Sequence, residues 1–100
     1  MKHYYVLNKK GKPVPEPDVL KWMDWFTKSV RKVAISRVGK ATVSTIFLGI
    51  DHSFTGDEPI LWETMVFGGR LNGEMDRCSG SREQAEAMHV RMVRRVNESK

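Results

Sequence analysis

The sequence predicts an α+β fold in a single domain over residues 1–100, with an antiparallel four- to five-stranded meander sheet and two helices. Three observations predict this fold. The chain of 100 residues has the length of one ordinary domain. Apolar residues recur every three or four positions in one stretch near each end, and they alternate with polar residues in between. Clusters of turn-forming residues separate the alternating stretches, so the expected element order is β-α-β-β-β-β-α.

The first predicted strand is His3–Leu7, an aromatic and β-branched run that ends in a cluster of turn formers. The prolines that follow are expected to prevent a regular ladder of hydrogen bonds. Pro17 nevertheless suits the first turn of a helix, because that position has no hydrogen-bond partner for a backbone N–H. A helix is therefore predicted over 17–28.

Helical spacing in that segment predicts a core contribution from three large side chains, Trp22, Met23 and Phe26. After Val30 the apolar period changes from 3.6 to 2, which predicts a second strand as far as Val38. Gly39-Lys40 is then expected to form a tight turn.

Three more strands are predicted in the middle of the chain: Ala41 to Ile50, Ile60 to Phe67 and Glu74 to Cys78. A polar loop over 51–59 separates the first two of these strands. Ser81, with Gln84 three residues later, has the pattern of a capping box, which predicts a final helix over 82–97.

Strand register predicts which side chains share a face of the sheet. If the turn at Gly39-Lys40 has two residues, Val38 pairs with Ala41, and if the polar loop closes symmetrically, Ile50 pairs with Ile60. One face is then almost wholly apolar and can be covered by both helices; it carries Val33, Ile35, Ile46, Leu48, Ile50, Ile60, Trp62 and Val66.

The opposite face is then mixed, with an apolar patch made of Val43, Phe47, Leu61, Met65 and Phe67. We therefore expect Trp62 and Ile46 in the core and Phe47 and Met65 outside it. A patch of this size indicates a homodimer or a protein partner. The alternative is that one helix covers each face of the sheet.

Net charge is +5 and is unevenly distributed, with +7 in residues 1–40, −4 in 41–80 and +2 in 81–100. The simplest interpretation is a solvated face that keeps the protein soluble. The basic N-terminal third also permits nucleic-acid binding through Lys9, Lys10, Lys12, Arg31, Lys32, Arg37 and Lys40.

Asp51-His52 is the one pair that has the residue types of a catalytic site, since a carboxylate can orient an imidazole as a base. Neighbouring side chains on an extended chain point in opposite directions, and Glu63 is expected roughly 13 Å away along the strand. We therefore predict that the two residues cap local backbone groups and that the protein is not an enzyme.

Metal and cofactor binding are not predicted either. His3, His52, His89 and Cys78 have none of the spacings of zinc sites. His89 is expected at the edge of the core with its hydrogen bonds satisfied, and Cys78 is expected to be a half-buried structural thiol. The sequence contains no apolar stretch typical of a membrane span or a cleavable leader, which predicts a cytoplasmic protein.

The stretches Val43–Phe54 and Pro59–Gly69 resemble the patterns VSTVxLGLDHxF and PxLFETMVFGGxLxGE of a family of small bacteriophage and prophage proteins. Gly11–Val14 and the segment from Ser81 to His89 are similar to that family as well, so the resemblance covers nearly the whole chain. The differences are conservative, with other apolar residues at positions such as Ile46 and Trp62. These motifs are specific to the family but not to any activity.

The resemblance implies a phage- or prophage-encoded accessory protein in the cytoplasm of a host bacterium. The predicted function is non-enzymatic binding of a host or phage protein, with modulation of host defence as one form of it. The expected contact residues are Phe47, Asp51, His52, Phe54, Leu61, Glu63, Met65 and Phe67. The alternative is a small-molecule or nucleic-acid binding module that uses the 51–59 loop and the basic N-terminal third.

Overall fold

The computed structural model describes residues 3–53 and 58–99, and it confirms the α+β class and the predicted elements in their order, with one further strand before the first helix. The strands and helices within these residues are β1 (Tyr5–Leu7), β2 (Pro13–Pro15), α1 (Val19–Lys28), β3 (Lys32–Val38), β4 (Ala41–Phe47), β5 (Ile60–Phe67), β6 (Met75–Ser79) and α2 (Arg82–Glu98). Strands β3 to β6 form an antiparallel sheet in chain order, and β1 and β2 form a separate two-stranded sheet. In the part of the chain that the structure describes, no helix is long and apolar enough to cross a membrane.

The expectation that the prolines prevent a ladder is wrong, because β2 pairs with β1. Hydrogen bonds run from Asn8 N to Lys12 O (2.9 Å) and from Glu16 N to Tyr4 O (2.8 Å). In β2, the backbone N–H groups of the even-numbered residues therefore point toward β1. Both prolines occupy odd positions, whose nitrogens point away from the partner strand, so no ladder bond is lost.

Helix α1 begins at Val19, two residues later than predicted, because Asp18 caps it by accepting hydrogen bonds from Leu20 N and Lys21 N. Trp22 is buried and its indole N–H donates to two carbonyl oxygens, those of Tyr5 and Gly49, at 3.0 Å each. Met23 is 51% exposed, so its predicted place in the core is wrong. One residue further along a helix turns a side chain by about 100°, away from the face that carries Trp22.

The far end of α1 packs on the chain that follows β4. Gly49 has φ +78°, and a Cβ there would lie 3.3 Å from the ring of Phe26. The guanidinium of Arg31 lies 3.7 Å from the centre of the same ring and donates to the carbonyl of Phe47 at 3.0 Å. Together these contacts attach α1 to one end of the four-stranded sheet. The helix therefore does not lie across the face of the sheet.

Helix α2 covers one face of the four-stranded sheet, and the predicted capping box of Ser81 and Gln84 is present at its start. Two groups of buried side chains form the core between helix and sheet. One consists of Ala41, Val43, Val66, Met92 and Val96, and the other of Phe47, Leu61, Trp62, Ala85 and Met88.

The β3–β4 register agrees with the prediction, with Val38 opposite Ala41, but the β4–β5 register differs by one residue. Phe47 lies opposite Trp62, whereas a symmetric loop would place it opposite Glu63. The loop is asymmetric because Gly49 adopts a left-handed conformation. The carboxylate of Asp51 also accepts a hydrogen bond from Ile60 N at 2.9 Å, which fixes the entry into β5.

This shift exchanges the faces of β5 relative to β4 and corrects several predictions. Val43 and Phe47, expected in the exposed patch, are buried. Leu61, expected there as well, is also buried, but next to Trp62 at the irregular start of β5 and not because of this shift. Ile46, expected in the core, is only partly buried and lies on the uncovered face, where Ile35 is 56% exposed. Trp62 is in the core and Met65 is outside it, as predicted.

The corrected faces predict the relative cost of three truncations. We expect Phe47→Ala and Trp62→Ala each to lower the free energy of unfolding by about 3–5 kcal/mol, because both remove a fully buried aromatic side chain from the same core. Met65→Ala is expected to cost much less. Urea unfolding monitored by circular dichroism measures all three, and a Met65→Ala cost equal to that of Phe47→Ala would contradict the observed register.

Candidate functional site

The face of the four-stranded sheet opposite α2 exposes several large apolar side chains among the described residues. Its side chains form three rows across the strands, as the register shows. We call this surface the open face. The rows are Arg37, Thr42 and Phe67; Ile35, Ser44, Met65 and Met75; and Lys32, Ile46, Glu63 and Arg77.

Apolar side chains occupy all four strands of the open face. Ile35 on β3, Phe67 on β5 and Met75 on β6 are 56%, 52% and 44% exposed. Ile46 on β4 and Met65 on β5 are partly buried between them. Met65 and Met75 are cross-strand neighbours, and Phe67 follows Met65 two residues along the same face of β5, so these side chains form a patch of the kind that is typical of a contact surface.

The only ion pair among the described residues of the open face is formed within the chain. Arg77 Nε donates to Glu63 Oε2 at 2.9 Å, and both side chains are partly buried. In a half-buried ion pair of this kind the two charges neutralise each other, and each group already has a hydrogen-bond partner. The centre of the open face therefore presents apolar and small hydroxyl side chains to solvent.

The structure places three of the eight expected contact residues on this face, namely Glu63, Met65 and Phe67. Phe47 and Leu61 are buried in the core, Asp51 and His52 lie in the loop after β4, and Phe54 falls outside the described residues. Sequence reasoning missed Ile35, Ile46 and Met75. The alternation of residues around Met75 could have indicated that this side chain is exposed. The positions of Ile35 and Ile46 on the open face could be predicted only with the correct β4–β5 register.

Asp51 acts as a structural cap, as the sequence predicts. Its carboxylate accepts hydrogen bonds from Ser53 N at 2.8 Å, Ser53 Oγ at 3.0 Å and Ile60 N at 2.9 Å. Burial raises the pKa of Asp51, but these hydrogen bonds outweigh it and hold the pKa below its ordinary value. All of its bonds are to local groups, so none joins it to a catalytic partner.

The side chain of His52 is hydrogen-bonded to a backbone group two residues earlier in the chain. Its Nδ1 donates to the carbonyl of Ile50 at 2.7 Å, because a carbonyl oxygen can only accept. Glu63 lies on the open face and is paired with Arg77, and the hydrogen bonds of the Asp51 and His52 side chains go to other groups. The structure therefore does not assemble an acid–base site from Asp51, His52 and Glu63.

A buried polar network links α2 to the sheet. His89, 5% exposed, lies between two hydroxyls, with Nε2 at 2.8 Å from Ser36 Oγ and Nδ1 at 2.7 Å from Thr45 Oγ1. Thr45 Oγ1 is in turn 2.5 Å from Thr64 Oγ1 on the next strand. Because each hydroxyl can donate or accept, the neutral imidazole is fully satisfied, as predicted for this residue.

This serine–histidine pair has the residue types of a nucleophile and its base, yet its surroundings do not suit catalysis. The second ring nitrogen meets a threonine hydroxyl and no carboxylate, so nothing stabilises an imidazolium. Burial lowers the pKa of His89, which further disfavours the protonated form. The network is suited to fixing α2 on the sheet.

Cys78 is partly buried, and burial together with nearby Asp76 raises the pKa of its thiol. A thiol with a raised pKa is a poor nucleophile, which agrees with its predicted structural role. Within residues 3–53 and 58–99, no group of three His, Cys, Asp or Glu side chains is placed to hold a metal ion.

The seven cations proposed for nucleic-acid binding belong to different elements of the fold. Lys9, Lys10 and Lys12 belong to the β1–β2 connection, and Arg31 is engaged with Phe26 and a backbone carbonyl. The other three follow β3 and its turn: Lys32, Arg37 and Lys40.

Comparison with protein families, curated proteins and solved structures finds no match for this chain.

The His89 network predicts a pH-dependent stability. Because burial lowers the pKa of folded His89 below the ordinary 6.5, the unfolded chain binds its proton first as the pH falls. The stabilisation is therefore complete above pH 6.5 and is lost as the pH drops toward the folded pKa. We expect urea unfolding to show a slope of at most about 1.4 kcal/mol per pH unit from this residue.

The control is His89→Gln, which removes the titrating group while leaving an amide to bond the two hydroxyls. Its free energy of unfolding should depend less on pH than that of the unaltered protein over about pH 7 to 5. Identical pH dependence of the two proteins would show that His89 does not titrate abnormally.

Proposed function

We propose that this protein is a non-enzymatic, phage- or prophage-encoded accessory protein that acts through protein–protein contact, and that its open face pairs with a second copy of the chain. The observation that carries the proposal is the exposure of Ile35, Phe67 and Met75 on three strands of one sheet face. Covering them removes apolar surface from water, which is favourable by about 25 cal/mol per Å2.

The shape of the open face favours a second copy as its partner. Phe67 protrudes at one end, and its cross-strand neighbour Thr42 and the adjacent Ser44 are short hydroxyl side chains. The face thus has a projection beside a depression. A two-fold axis would place Phe67 of each copy over the Thr42 and Ser44 of the other, the self-complementary arrangement that symmetric dimers need.

The area of the open face is close to that of the smallest stable interfaces. Four strands about 4.8 Å apart, of 7, 7, 8 and 5 residues, span about 19 by 23 Å. Two such faces in contact bury about 900 Å2 of flat area, close to the roughly 1,000 Å2 expected of a specific interface. We therefore expect a dimer with a micromolar dissociation constant.

The loop and the buried network support a non-enzymatic role. Asp51 and His52 bond to local backbone groups, and His89 is enclosed between hydroxyls beneath α2. No hydrolytic or group-transfer activity that depends on His52 is expected.

Light scattering on a size-exclusion column tests the dimer. The mass should rise from 11.5 kDa toward twice that value as concentration reaches the high micromolar range. Phe67→Asp should raise the dissociation constant at least about 30-fold, because it places a charge in the apolar contact between the two copies.

The matched control is Leu20→Asp, which introduces the same charge at an exposed apolar residue of α1 outside the open face. It should leave the dimer intact. A strict monomer at high micromolar concentration would overturn self-association, as would a dimer broken by Leu20→Asp and not by Phe67→Asp. A monomer that binds a host or phage protein only when Phe67 is intact would assign the face to that partner instead.

A further inference from the structure

Two adjoining cavities lie where the β3–β4 turn approaches the C-terminal half of α2. They share Val38 and Gly39 as walls and have volumes of about 510 and 290 Å3. Arg37 and Arg94 line the larger cavity, and Lys40 and Arg70 line the smaller. We call the two together the basic cleft.

The basic cleft carries four positive charges and no negative one among its lining residues. None of the four cations forms an ion pair with a carboxylate in the described part of the chain. Arg37 Nε donates to Gly39 O at 3.4 Å and Arg70 Nη1 donates to Ser99 O at 3.2 Å. Each guanidinium uses one N–H in these bonds and keeps others for a ligand.

We propose that the basic cleft binds the phosphate backbone of nucleic acid. Its cations come from β3 and the turn after it (Arg37 and Lys40), from the turn at Arg70, and from α2 (Arg94), three segments far apart in the sequence that the fold brings to one end of the sheet. Convergence of unpaired cations raises the local positive potential, which attracts a polyanion. Two members, Arg37 and Lys40, belong to the basic N-terminal third, whereas Arg70 and Arg94 do not.

The lining of the cleft indicates backbone contact without base recognition. Its neutral walls include Val90 and Val93 on α2, and it has no aromatic side chain on which a base could stack. Contacts to phosphate alone do not depend on sequence. We therefore expect binding to duplexes of any sequence with a strong dependence on salt.

A structural role for Arg94 competes with this proposal. A cation in the last turns of a helix stabilises the negative end of the helix dipole by about 0.3–1 kcal/mol. That role concerns α2 alone and requires neither Arg37 nor Lys40. It also predicts no ligand, so a binding measurement separates the two interpretations.

The experiment measures the affinity of the full chain for a fluorescein-labelled duplex of arbitrary sequence by fluorescence anisotropy. With four phosphate contacts, log K should fall with log salt with a slope of about −3.6, a loss of about 150-fold between about 50 and 200 mM. In the double variant Arg37→Gln and Arg94→Gln the slope should be about −1.8. Its circular dichroism spectrum should match that of the unaltered protein.

The control is the double variant Lys9→Gln and Lys10→Gln, which loses the same charge from the β1–β2 connection. Its slope should stay near that of the unaltered protein. Equal slopes in the two double variants, or no binding at low salt, would overturn the proposal. Displacement of the duplex by millimolar AMP would also overturn it, because a site for an isolated phosphate does not need a polymer.

Discussion

The cross-strand pair of Thr45 and Thr64, closed by His89, is the interaction on which the rest of the structure depends. Its hydroxyls lie 2.5 Å apart, and His89 Nδ1 lies 2.7 Å from the first of them. A shift of β5 by one residue would replace Thr64 by Met65 and bring the carboxylate of Glu63 to the helix-covered face. Burying that charge against apolar side chains is unfavourable by several kcal/mol, so the network selects one register and, with it, both faces of the sheet.

One face of the sheet is open because of where the two helices pack. Helix α2 lies over one face, where its His89 completes the network. Helix α1 packs instead on β1, because the indole N–H of Trp22 needs the carbonyls of Tyr5 and Gly49. Two helices of 10 and 17 residues therefore leave the opposite face of the sheet to solvent. The outer side of α2 contributes Arg94 to the basic cleft, and Arg37 belongs both to the cleft and to the first row of the open face, so the two proposed binding surfaces adjoin at Arg37.

Sequence reasoning succeeded where the signals are local. Ser81 and Gln84 form the expected capping box, and β5 spans the predicted Ile60–Phe67. It failed at the loop after β4, where the left-handed Gly49 and the bond from Ile60 N to Asp51 make the connection asymmetric. No local pattern distinguishes this loop from a symmetric one. The candidate surface inherited that error, which is why Phe47 was expected in the patch and Ile35 in the core.

The sequence by itself determined the α+β class, the order of all elements except β2, the hydrogen-bonded His89 at the core and the capping of backbone groups by Asp51. Each of these follows from residue spacing or from bonds between near neighbours in the chain. The tertiary structure decided which face of the sheet is open and that Arg37 and Arg94 line one cleft. Both depend on strand register and on packing between distant segments. The alternating pattern of apolar residues does not determine the register, because a slip of one residue preserves the pattern while exchanging the faces of the strand.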